Sequence, residues 1–226
     1  GKRLEGGNSV SRPWSDLIDF VAPSVPDAPD SLIEMMLKWS AIKLCERSGL
    51  FKEQLFFDSQ AGKSDYPLEL NSCWVPHTIY ALCVNGENYS PMELEACCDS
   101  SCNKVYVLHD PRVVNIRPTP KKDEVDGIRV LLSVKPSNDS CEVIDQLYDD
   151  WSEVLAAGAL ARLFKSQRKP WSNMTLAREF EKDFHAGVSR AMIRAYKGFT
   201  RGPIRLKAIP FVTRDSNLGV LSGGFQ

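Results

Sequence analysis

Residues 156–173 read AAGALARLFKSQRKPWSN. The first six positions hold only Ala, Gly and Leu, and the run then turns into Lys165, Arg168 and Lys169 before Pro170. Small side chains let a helix backbone come close to a neighbour. Proline disfavours helical geometry in the residue before it, so the helix ends at Pro170. Trp171 then stands ready to plug an adjoining apolar groove. Two partners fit such a helix: the remaining helices of the same chain, or a second copy of it. The expected interface set is Ala157, Gly158, Ala161 and Trp171.

Working outward, Val143, Leu147, Trp151, Val154 and Leu155 extend the apolar stripe back to about residue 141. Downstream, Ser172 or Asn173 is a suitable cap for a further helix. In that helix Phe180, Phe184, Val188, Ala191, Ala195 and Phe199 recur at three- or four-residue steps, and Arg190, Arg194 and Lys197 fall to the other side. Gly198 and Gly202-Pro203 break it. IRLKAIPFV then alternates as an extended arm, followed by the polar tail TRDSNLGVLSGGFQ.

At the other end, residues 13–48 read as two helices. The first carries Trp14, Leu17, Ile18 and Val21. The second carries Leu32, Met35, Met36, Trp39, Ala41 and Ile42, with Asp30 or Ser31 as cap, Glu34 completing a capping box and Gly49 closing it. Between about 50 and 137 the period changes to two, in short runs such as DYPLEL, KVYVLHD and GIRVLLSVKP. Asn85-Gly86 is a hairpin signal, because both residues tolerate positive φ. Residues 118–127, PTPKKDEVDG, read as an exposed loop.

The expected fold class is therefore α+β: an antiparallel helical bundle made by the N- and C-terminal helices, with an inserted small antiparallel β-domain and an extended C-terminal arm. The divisions are an N-terminal extension (1–12), a first bundle segment (13–49), the β insert (50–140), a second bundle segment (141–199), and arm and tail (200–226).

The net charge of −1 hides an asymmetry. Residues 160–214 hold about 13 Lys/Arg against about 3 Asp/Glu, so a basic C-terminal third follows an acidic remainder. That third can meet a polyanion, an acidic protein surface, or the acidic region of a neighbouring copy. No apolar run reaches the roughly 20 residues of a membrane span, and no leader pattern is visible, so a soluble protein without membrane partners is expected. The seven cysteines are an odd number without regular spacing, which favours free thiols. Cys97, Cys98 and Cys102, with His109 or Cys141, form the one group with any resemblance to a zinc site. Adjacent Cys97 and Cys98 are awkward tetrahedral partners, however, and no C-x2-C pair exists.

Enzyme motifs are missing. There is no phosphate loop, since AGKSD at 61–65 lacks the first glycine, and there is no dinucleotide fingerprint or nucleophile elbow. His77, His109 and His185 lie far apart in the sequence. No catalytic residue, metal or cofactor is assigned. Arg190, Arg194 and Lys197 can track phosphates, which leaves a non-specific DNA-binding module as an alternative from another class.

Three pieces carry a resemblance: AAGALARL, KPWSN and the terminal GFTRGPIR. Together with PWSDLIDFVAPSV, the second helix and YPLEL, they make residues 13–212 resemble the head-to-tail adaptor (connector) proteins of tailed bacteriophages. The resemblance implies a structural virion protein at the neck, assembled in the host cytoplasm. It also implies a homo-oligomeric ring, usually of twelve copies, beneath the portal protein, with tail or nozzle proteins on the opposite side and packaged DNA in the channel. The arm residues Arg201, Ile204, Arg205, Leu206, Ile209 and Phe211 would engage the portal, and Arg190, Arg194 and Lys197 would face the channel. A stopper or tail-completion component of the same neck is the nearest alternative. Cys97, Cys98, Cys102 and the tail after Val212 have no counterpart in the resemblance.

Overall fold

The computed structural model describes residues 11–71, 73–92, 104–110 and 112–198. Its helical region holds α1 (Asp30–Ser48), α2 (Asp145–Lys165) and α3 (Met174–Lys197), preceded by 3-10 segments at Trp14–Phe20 and Ala22–Ser24. The first expected helix is thus a 3-10 segment. Its apolar spacing still works: Trp14, Leu17 and Val21 are buried. At the start of α1 the expected capping box does not form; Pro29 occupies the cap position with no side-chain hydrogen bond. Proline pre-sets the extended entry there instead. Gly49 closes α1 in the left-handed region at φ 58°, and its amide donates to the Cys45 carbonyl.

The β region overturns the expected fold class. Seven strands form one sheet in the order β2 (Lys52–Ser59), β8 (Glu124–Pro136), β4 (Trp74–Val84), β5 (Glu87–Pro91), β6 (Val105–Asp110), β7 (Val113–Arg117) and β3 (Asp65–Pro67). Its two edge strands, β2 and β3, are consecutive in the chain. A short connection, residues 60–64, joins them, so the two edges lie near each other and the sheet curls into a nearly closed barrel. This is a large barrel beside three α-helices, rather than a helical bundle with a small β insert. Nor is it wholly antiparallel, since β5 and β6 pair in parallel. The physical reason is β8. It is thirteen residues long and pairs with both β2 and β4, while Ile128, Val130, Leu132 and Val134 alternate inward, each at most 1% exposed. It also starts at Glu124, inside the stretch read as loop. A further pair, β1 (Ser11–Pro13) with β9 (Glu142–Ile144), ties the first described residues to the entry of α2.

Two apolar cores result. The barrel core gathers residues such as Leu82, Ile116 and Ile128, and the helical core runs from Trp14 to Ala191. Phe51 packs against both. Glu46 at the end of α1 reaches Lys135 on β8 at 2.7 Å and Lys43 at 2.5 Å, and bridges the two regions. Burial pushes the Glu46 carboxyl up, but its hydrogen bonds to Lys135 and Lys43 outweigh that and hold it below the usual carboxylate range.

The opening stretch explains how the helices meet. A β-carbon on Gly158 of α2 would lie 2.7 Å from Phe184 of α3 and 2.7 Å from Ser40 of α1. Reciprocally, a β-carbon on Gly187 of α3 would overlap the side chain of Val154 on α2. Each helix therefore sets a glycine against a bulky residue of the other. The antiparallel pair is held further by Phe164 stacked on Phe180 and by Asn173, whose side chain accepts from the Thr175 and Leu176 amides at the start of α3.

Candidate functional site

Two grooves flank the α2/α3 pair, and the helical period places them on opposite sides. The first, of about 670 Å³, lies between α1, α2 and α3. Gly158 and Phe184 belong to its apolar lining, with Met36 and Trp39 beside them. Lys43, Arg47, Arg162 and Lys165 contribute four cations against two acids, Glu46 and Glu181. Most of this charge is matched locally. Lys165 pairs with Glu181 at 2.7 Å, Lys43 with Glu46, and Arg47 donates to Nδ1 of His185 at 2.9 Å. Arg162 differs. Its guanidinium lies over the Trp39 ring and has no carboxylate partner among the described residues. Partial burial pulls its pKa below the ordinary arginine value.

The opposite side of the pair carries a second groove of about 650 Å³ and an adjoining one of about 400 Å³. Asp149, Asp150, Glu153 and Asp183 give four acids against Arg190 and Arg194. Phe20, 43% exposed, stands at the rim. Asp150 meets Arg194 at 3.5 Å, whereas exposed Glu153 has no cation within ion-pair distance among the described residues. The sequence spacing gives the geometry: Glu153 and Arg162 are nine residues apart on α2, about 900° of helical rotation, so they point in opposite directions.

The expected interface residues fall beside these grooves. Ala157, Gly158 and Ala161 are buried within the chain. Their small size serves the packing of α2 on its own neighbours, and the surfaces open to a second copy are the grooves on either side. Trp171 packs partly on the helical core, with Lys169 over its ring. Of the expected channel residues, Arg190 lies on the acidic side and Arg194 is paired with Asp150 there, which offsets its charge; Lys197 is exposed at the end of α3. Arg201, Ile204, Arg205, Leu206, Ile209 and Phe211 lie outside the described residues, as do Cys97, Cys98 and Cys102. Among the described residues no cluster of His, Cys, Asp or Glu is arranged to hold a metal, and no helix is long and apolar enough to cross a membrane. Sequence reasoning missed the stack of Arg162 on Trp39. The two residues are 123 positions apart, and Trp39 sits in a run that reads simply as an apolar helix face. No protein-family model matches the chain, and no curated protein matches it.

Proposed function

We propose that the chain is a structural subunit of a phage neck: a head-to-tail adaptor that forms a ring beneath the portal and joins capsid to tail around the DNA channel. The observation that carries this reading is the pair of oppositely biased grooves on opposite sides of α2 and α3. Faces that complement each other from opposite sides of one subunit make a heterologous, head-to-tail contact, which closes into a ring when the rotation allows. A helical region and a separate barrel, joined through Glu46 and Phe51, give the subunit two ends for two different partners. The resemblance of AAGALARL, KPWSN and GFTRGPIR to adaptor proteins supplies the identity of those partners.

In this reading Ile204, Leu206, Ile209 and Phe211 anchor the chain on the portal, by strand-like addition of an alternating segment. Truncation after Phe199 leaves a folded protein that no longer co-sediments with purified portal rings. Co-sedimentation undiminished by the truncation contradicts the assignment of that segment.

A further inference from the structure

We infer that the groove holding Arg162 receives the Glu153 side of α2 from a second copy of the chain, so that a cation and an acid unmatched within the subunit become a repeated intersubunit ion pair. The inference deepens the ring reading by naming the contact that propagates it, and it rests on that reading for the closure of the ring.

The charge balance of the isolated subunit motivates it. The first groove carries four cations and two acids; the opposite side carries four acids and two cations. The imbalances are equal and opposite, and each includes residues with no ion-pair partner among the described residues: Arg47 and Arg162 on one side, Asp149, Glu153 and Asp183 on the other. Arg162 is pre-positioned: its guanidinium lies over the Trp39 ring, which restricts its freedom. Glu153 is exposed on the reverse of the same helix. Because both residues sit on α2, pairing one subunit's Glu153 with the next subunit's Arg162 stacks the α2 helices in one repeating sense. Phe20, exposed at the rim of the acidic side, then gains cover as the faces close. Arginine is the better residue here than lysine, because a planar guanidinium stacks on an aromatic ring and binds a carboxylate at the same time. A free polyanion is the competing occupant, and the test separates it.

Two single charge reversals, Arg162→Glu and Glu153→Arg, make the test. In a head-to-tail contact each variant alone sets like charges against each other. Mixed, the reversed groove of one meets the reversed face of the other, and the remaining contacts are native. Association is read by sedimentation velocity over a concentration series at low and moderate salt, with thermal melts to show that each variant folds. The expected result is that each variant alone associates at least about tenfold more weakly than the native chain, and that the equimolar mixture regains association that salt weakens. A mixture no better than its components overturns the inference, as does Arg162→Glu losing affinity for a short DNA duplex while self-association is unchanged. Recovery in the mixture without binding to portal rings upholds this contact and removes the portal reading, so the two failures are distinct.

Discussion

Glu46 shows how much one side chain does in this chain. It stands where α1 ends, its carboxylate takes hydrogen bonds from Lys43 and Lys135, and its carbonyl lies 3.1 Å from Nε2 of His77 on β4. Because its folded pKa lies below the ordinary value of about 4.3, its contribution is fully present above that value and is lost as pH falls through the folded pKa. Its side chain is only 19% exposed, so solvent screening is partial. Glu46→Gln should lower unfolding free energy by about 1 kcal/mol at neutral pH, and the gap to the native chain should close in more acidic buffer. Urea unfolding at a series of pH values measures this. A gap that persists unchanged in acid contradicts the assignment of the ion pairs as its cause.

At the scale of elements, the crossing of α2 and α3 is decided by Gly158 and Gly187. Gly158→Ala gains roughly 1 kcal/mol in helix propensity. It also places a methyl group 2.7 Å from Phe184, where overpacking costs about 1–3 kcal/mol. The second effect wins, so a net loss of about 1 kcal/mol is expected in chemical denaturation, and Gly158→Leu should prevent folding or assembly. A fully stable Gly158→Leu chain would show that the crossing is not close. The sequence left open what the run of Ala, Gly and Leu packs on, and Gly187 gave no signal, but a close approach at Gly158 was legible. So were the Asn85-Gly86 turn, with φ of 49° and 83°, and the Asn173 cap. The barrel was not legible. Periodicity shows that Ile128, Val130, Leu132 and Val134 share a face; it does not show that β8 pairs on both edges or that the edges β2 and β3 come near each other. Likewise, the composition reveals a basic third, yet the placement of Arg162 is defined by a tryptophan far away in the chain.

Across the whole molecule, a helical region and a barrel each have a core of their own; in the proposed ring the helical region would repeat from subunit to subunit. The helical region has opposite charge bias on its two sides, which suits addition of identical copies in one direction. The barrel has its own core, so in the proposed ring it would keep its shape while the helices pack on neighbours. Electrostatic pairing of this kind weakens with salt, because exposed charges are screened over roughly 8 Å at physiological ionic strength. The most direct measurement is electron microscopy of the purified chain mixed with purified portal rings. An adaptor should appear as a second ring stacked coaxially on the portal, with neighbouring subunits related by rotation about the channel and the α2 faces in contact. Isolated portal rings, with the chain remaining monomeric in solution, would contradict the adaptor reading.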